Sequence, residues 1–480
     1  MLIFFKFTKK HAMKKNLKQW ISLACSILAL SSCDSTDDHA VPSSIAVHNF
    51  IWKGMNLYYY WQDEQPLLAD NRFANQSELN AFLETLSPAD LFATLKMPTE
   101  TDRFSVLYND YNVLENALSG QSLNHGAEYG MYRLNPNSDV VYGAIRYIIP
   151  NSNAAQTTLQ RGAIFYAIDG TPLTVSNYQS LLRSTNLTLQ LADWDGNNLI
   201  PNGQSVTLTK TALQENPVHT RKVVQVGNHR VGYLLYNGFW TAYDQRLNEA
   251  MSYFRSQNID ELVLDLRYNG GGTLTSAQYL ASMLTGPFNG QIFAVQDWNA
   301  KLNDYIDSSS LDRYVHFTNQ LGNGQAIHHL QLSKVYVLTT ASTASASELV
   351  INGLAPYIDV IQIGGKTAGK NVGSTTLYDS PTYRKQGVNP NHRYAMQPIV
   401  FKIANAQGFS DYTNGLTPTI ELVENTQNMG TLGETDEPLF ARALQHIQSG
   451  FRTSEPSPGS TELDNSQNLR NLGGLVSEIE

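Results

Sequence analysis

Cysteine is almost absent from this chain: its 480 residues hold two, Cys25 and Cys33. Everything after Cys33 therefore lacks a thiol for a disulfide, a zinc site or a cysteine nucleophile. Charge is also sparse, at 16% of residues, and it leans acidic. Residues 1–32 hold six of the 33 basic residues and no acidic one, which leaves 27 basic against 42 acidic residues in the rest. An acidic surface without a basic cluster excludes nucleic acid as the expected partner. The histidines are scattered without metal-ligand spacing, and the pair His328-His329 is too close in sequence for a helical metal site, so neither metal nor other cofactor is expected. No internal repeat is present. A hydrophobic content of 42% marks an ordinary globular protein, and 480 residues are too many for one core, so two or three domains are expected.

The N-terminus reads as a targeting segment. Met13-Lys14-Lys15-Asn16-Leu17-Lys18 is a positive n-region, and Trp20 to Leu30 is an apolar stretch too short to span a bilayer. Met13 is the expected start. Leu30-Ser31-Ser32-Cys33 resembles the bacterial lipobox, which implies lipidation at Cys33 and a new N-terminus there. The alternative is an ordinary signal peptide with an incidental cysteine. Residues 1–32 are thus read as signal peptide and 33–43 as a polar tether. Asp34, Asp37 and Asp38 in that tether resemble the surface-export signals of some Gram-negative lipoproteins. The expected location is the cell envelope, as a lipid-anchored outer-membrane protein on the periplasmic or surface face.

Beyond the tether the texture changes twice. Residues 44–118 show helical spacing, with Phe50, Ile51 and Met55 and then Leu79, Phe82, Leu83 and Leu86 as apolar stripes. The run Tyr58-Tyr59-Tyr60-Trp61 is read as core rather than as a ligand-stacking surface. Residues 125–213 turn to short strands. Within them Leu159 to Leu173, including Ile168-Asp169-Gly170, resembles bacterial PDZ domains, and Tyr129-Gly130-Met131 is the candidate nest for a peptide carboxylate. The alternative there is a small β-domain in which Gly130 marks a turn. Residues 217–452 alternate strand and helix, with strands at Gly232–Tyr236, Glu261–Leu266, Lys334–Thr340 and Asp359–Ile363, and helices at Tyr243–Ser256 and Ser347–Leu354. Residues 453–480, rich in Ser, Pro, Gly, Asn and Glu, are expected to be a disordered tail.

Chemistry concentrates in the α/β region. Ser345 follows a buried strand and opens a helix, where unpaired N–H groups favour developing negative charge. A serine at that place is most often just an N-cap. Lys370, 25 positions on, lies in the glycine-rich loop Gly364 to Ser374. A lysine serves as general base only when neutral, and burial achieves that by disfavouring the ammonium. Its neighbour Lys366 is expected to be solvated. Asp265-Leu266-Arg267-Tyr268-Asn269-Gly270-Gly271-Gly272 lacks both the Lys-Ser ending of a P-loop and dinucleotide-fingerprint spacing. Its glycines suit close approach to a substrate carbonyl, and Asp265 and Arg267 are expected to brace the turn.

The ordered set Asp265-Leu266-Arg267, Asn269, Gly271-Gly272, then Ala344-Ser345-Ala346-Ser347-Glu348, then Gly369-Lys370 resembles the C-terminal processing, or tail-specific, serine peptidases. Gly415-Leu416-Thr417-Pro418 and Leu432-Gly433 with Glu437-Pro438-Leu439 match the same type, and the likeness covers about residues 45–450. The lipoprotein signal, helical segment and PDZ-like segment resemble lipoprotein members found in Bacteroidetes-like bacteria. The resemblance implies an α/β fold with a ClpP/crotonase-like core. It makes Ser345 the nucleophile, Lys370 the base, and the N–H groups of Gly271 and Ala346 the oxyanion hole. Many relatives place a glutamine four residues after the lysine; here Ser374 stands there and is the candidate orienter. Substrates would be proteins or peptides. Two other classes compete: a catalytically silent PDZ-bearing lipoprotein that binds peptide tails, and a crotonase-type acyl-CoA enzyme. The intact Ser345 and Lys370 weigh against the first, and the secretion signal against the second. Nothing in the sequence sets an oligomeric state.

Overall fold

The structure, a computed structural model, describes residues 41–196, 198–309, 312–450 and 460–472. The signal segment, Cys33 and nearly all of the tether lie outside the described residues, as do 451–459 and 473–480. Three helices come first: α1 (Ala46–Tyr58), α2 (Gln76–Leu83) and α3 (Pro88–Leu95). Side-chain caps start two of them. Asn75 accepts from the Glu78 N–H at 3.0 Å, and Ser87 from the Asp90 N–H at 3.2 Å with Pro88 at the first helical position. Phe50, Ile51 and Met55 of α1, Leu79 and Leu83 of α2, and Leu91 and Leu95 of α3 join the main apolar core. Tyr58 and Tyr59 are buried in it, as core residues should be, while Tyr60 and Trp61 stay half-exposed.

A β-rich domain follows, built of β1 (Ala127–Arg133), β2 (Val141–Ile148), β3 (Ile164–Ile168), the short helix α4 (Tyr178–Leu182), β4 (Asn186–Asp195) and β5 (Asn198–Thr209). These strands pair antiparallel in chain order, which leaves one edge of β1 for another partner.

The larger α/β unit runs β6 (Val218–Val226), β7 (His229–Tyr236), α5 (Asp244–Ser256), β8 (Glu261–Asp265), α6 (Leu274–Thr285), β9 (Lys334–Thr339), α7 (Ala346–Leu354), β10 (Asp359–Gly364), β11 (Ile420–Glu421) and α8 (Pro438–Ser449). Its six strands lie side by side in that order, antiparallel between β6 and β7 and parallel thereafter. The two faces of β9 show why. Val335 and Val337 point into the core shared with α5, α6 and α7, whereas Tyr336 and Leu338 meet Leu439, Phe440 and Leu444 of α8. A second, antiparallel sheet carries residues 372–374, directly after the glycine-rich loop.

The C-terminal segment corrects one expectation. Residues 462–472, expected in a disordered tail, form β12 (Glu462–Asn465) and α9 (Ser466–Leu472). Strand β12 pairs antiparallel with the open edge of β1. The composition could not support a core of its own, but Leu463 and Leu469 enter the β-rich domain's apolar cluster, and Glu462 forms an ion pair with buried Arg146. Order here comes from a partner far away in sequence.

A buried ionic network joins the units. Arg267, fully buried, donates to both oxygens of Glu437 at 2.6 and 2.9 Å, to Asp265 at 3.0 Å and to Glu424 at 3.1 Å. Arg161, from the β-rich domain, reaches Glu424 at 2.7 Å and the Tyr268 hydroxyl at 2.6 Å. Asp265 and Arg267 thus do brace the glycine turn, but through carboxylates as well as each other.

Candidate active site

The turn between β9 and α7 is where the backbone is strained. Ser345 has φ 57° and ψ −113°, a region a non-glycine residue occupies only when its surroundings force it. A sharp strand–serine–helix turn of this kind lifts the side chain clear of the sheet, and Ser345 keeps partial exposure. The turn is held from below. Thr343 Oγ1 donates to the Leu266 carbonyl at 2.9 Å, and the Ala344 N–H and the Ser347 hydroxyl both donate to the Asn269 carbonyl, at 3.1 and 3.0 Å. Ser347 is therefore held in the turn's own bonding, and Ser345 is the serine that keeps partial exposure.

Gly271 sits against it with φ 105°. A Cβ there would lie 2.8 Å from the Ser345 Cβ and 2.9 Å from the Ala344 carbonyl oxygen, so only glycine fits. Ala346 is the first residue of α7, where helix N–H groups lack intrahelical partners. The Gly271 N–H donates to Asn269 Oδ1 at 2.9 Å. That N–H is thus already committed within the turn.

Glu348 unites the nucleophile turn and the lysine loop. It is fully buried; Oε2 accepts from the Ser345 N–H and the Lys370 N–H, each at 2.8 Å, and Oε1 from Thr367 Oγ1 at 2.6 Å and the Gly369 N–H at 2.7 Å. One carboxylate oxygen thus bridges the amides of both candidate catalytic residues. Sequence reasoning quoted Glu348 but gave it no role. The signal was present, since Ser345-Ala346-Ser347-Glu348 is a capping-box pattern.

Lys370 has intermediate overall exposure, yet its amine lies in dense protein, 4.9 Å from the centre of the Phe104 ring. Desolvation holds its pKa below the ordinary 10.5, against the upward pull of Glu348 and Asp102. Lys366 is exposed, as expected. Asp102 and Phe104 come from the stretch after the N-terminal helices, and no local sequence signal marked them. Asp102, fully buried, accepts from the Tyr59 hydroxyl at 2.7 Å and the Ser105 N–H at 2.9 Å. Arg103 donates to the carbonyls of Gly369 at 3.1 Å and Thr413 at 3.2 Å. This strap closes one wall of the lysine pocket. Ser374 lies in the neighbouring sheet, and among the described residues no hydrogen bond joins it to Lys370. Tyr129, Gly130 and Met131 all lie on β1, buried between β2 and β12. Among the described residues no group of three or more His, Cys, Asp or Glu is arranged to hold a metal ion.

Two segments of the chain match models of one peptidase family. Residues 46–106 match the Peptidase S41 N-terminal domain and residues 230–421 match Peptidase family S41. A protein of Staphylococcus epidermidis assigned as a CtpA-like serine protease is 29% identical over 182 residues, covering 36% of this chain and 34% of that protein. The carboxyl-terminal-processing protease of Picosynechococcus is 23% identical over 230 residues, 44% of this chain and 50% of that one. The chain spans a third to a half of the length of these curated relatives. A crystal structure assigned to the S41 proteases, from Bacteroides fragilis, superposes with a TM-score of 0.64 at 28% identity over 84% of this chain and 97% of that one. The matched N-terminal strap and the matched core are the two parts that meet around Lys370, and the chain belongs to peptidase family S41.

Proposed function

We propose that this protein is a serine endopeptidase that cleaves proteins or peptides through Ser345 and Lys370. The observation that carries the reading is the Glu348 bridge, which ties a strained, partly exposed serine to a lysine whose amine is desolvated. Neutral Lys370 would take the Ser345 proton as Oγ attacks the scissile carbonyl, and return it to the leaving amine. The Ala346 N–H, joined by that of Gly271 once Asn269 lets go, would hold the oxyanion. The Asp102–Phe104 strap keeps water from the amine. In this reading the core is ClpP/crotonase-like, and the β-rich domain is PDZ-like, with the β1 edge at Tyr129-Gly130-Met131 receiving a substrate tail. A silent tail-binding lipoprotein would have no use for the strained serine or the desolvated lysine.

Digestion of an unfolded protein tests this. Wild type should yield new peptide termini by mass spectrometry and Ser345→Ala none; equal products from both would sink the reading. We further propose that Cys33 is lipidated and anchors the protein in the cell envelope. No helix among the described residues is long and apolar enough to cross a membrane. Cys33→Ser should move the protein from membrane to soluble fractions, and a mature N-terminus beyond Cys33 would overturn the lipoprotein reading.

A further inference from the structure

The open edge of β1 is occupied by the chain itself. Glu462 lies opposite Tyr132, Asp464 opposite Met131 and Asn465 opposite Gly130, antiparallel, and the Tyr129 N–H donates to Ser466 Oγ at 3.1 Å. This is strand addition to a sheet edge, in which main-chain bonds supply affinity and side-chain pockets supply selectivity. The side chains of Glu462, Leu463 and Asp464 each meet a built partner. Glu462 pairs with buried Arg146 and accepts from Ser342 Oγ at 3.1 Å. Leu463 packs in the apolar cluster of Met131 and Leu182, with Leu469 beside it. Asp464 accepts from the Tyr178 hydroxyl of α4 at 3.0 Å. The segment therefore lies between β1 and α4, on the three residues read as the peptide site.

It also touches the catalytic loops. Gln467 donates to the Tyr268 carbonyl at 3.0 Å, and a Cβ placed on Gly270, next to Gly271, would lie 3.2 Å from its side-chain oxygen. Ser342, which accepts from Asn465 Nδ2 at 3.4 Å, is three positions before the nucleophile. Whatever fills this groove is in contact with both turns that frame Ser345.

We infer that the β1–α4 groove is selective for an extended peptide of the pattern Glu-Leu-Asp followed by a second leucine, and that residues 460–469 are its resident, displaceable occupant. This rests on the β-rich domain being the recognition module, but not on Ser345 chemistry. A tethered occupant competes at roughly millimolar effective concentration, so a peptide in trans binds the intact chain weakly until the segment is removed.

The test is fluorescence anisotropy of a labelled peptide copying residues 460–469, with Ser345→Ala as background so that hydrolysis plays no part. Three proteins are compared: the full chain, the full chain with Leu463→Asp and Leu469→Asp, and the chain ended after Gly450. The altered chains should bind the peptide about tenfold or more tightly than the full chain, and a peptide with both leucines changed to aspartate should not bind. Equal binding by all three overturns the inference and leaves the peptidase reading standing. Should the altered chains not fold, amide exchange on the unaltered chain decides. The 463–465 amides should exchange at least tenfold faster than those of β2, and equal protection would mean a fixed structural strand.

Discussion

A single buried carboxylate, Glu348, sets the relation between serine and lysine, and its four hydrogen bonds leave no room for a donor in its place. Glu348→Gln would set an amide NH2 against two N–H donors or against Thr367. The expected loss is roughly 3 kcal/mol of stability and on the order of 100-fold in kcat/KM, measured by denaturant unfolding and steady-state kinetics. Ser345→Ala and Lys370→Met should each lower hydrolysis by about 10^4-fold or more. They should differ in stability. The Lys370 pKa is lowered on folding, so between its folded-state pKa and 10.5 the unfolded chain binds more protons than the folded one. Burial of this amine costs stability in full below that window, and the cost is recovered as pH rises through it towards 10.5. Lys370→Met should therefore melt higher than wild type at pH 7, and a lower melting temperature would contradict a desolvated base. Ser345 and Lys370 were legible because they sit in short motifs with fixed neighbours. Ser374 was chosen by its offset from the lysine alone, and offset does not say what lies across a pocket.

At the scale of elements, the strap Asp102–Ser105 is the part most remote from the motifs it serves. The Arg103 bond to Gly369 spans 266 positions, and nothing periodic in either segment announces it. Phe104→Ala should admit water to the lysine pocket. Desolvation is the dominant influence on Lys370, so relieving it raises the pKa, and the rising limb of the kcat/KM–pH profile should shift to higher pH. An unmoved limb would mean the ring does not shield the amine. Six elements of the α/β unit, β7, α5, β8, β9, α7 and β10, were legible to within three residues at each end, as short apolar runs or periodic stretches between turns. In contrast, β6, α6, β11 and α8 were not read at all. Nor was strand β12. A polar segment with two leucines looks disordered until the edge and pockets that receive it are in place.

Across the whole molecule, the network around Arg267 fastens the β-rich domain, the glycine turn and α8 together. Burial alone would raise the Glu424 pKa, but Arg161 and Arg267 outweigh it, with a bond from Tyr268, and hold it down to about 2. A carboxylate depressed on folding contributes stability that is full above its ordinary 4.5 and fades as pH falls towards 2. Acid unfolding should draw on that window. Arg267→Met, which leaves Asp265, Glu424 and Glu437 facing one another in a dry interior, should cost about 3–5 kcal/mol, read by denaturant unfolding at pH 7.

The most direct measurement of the central claim is rapid quench of the enzyme with an activated peptide ester, followed by peptide mapping of the acylated protein. The account predicts one acyl adduct, on Ser345, whose formation speeds up with pH in wild type and is lost in Lys370→Met. An adduct on any other residue, or undiminished acylation of Ser345 without the lysine, would contradict it.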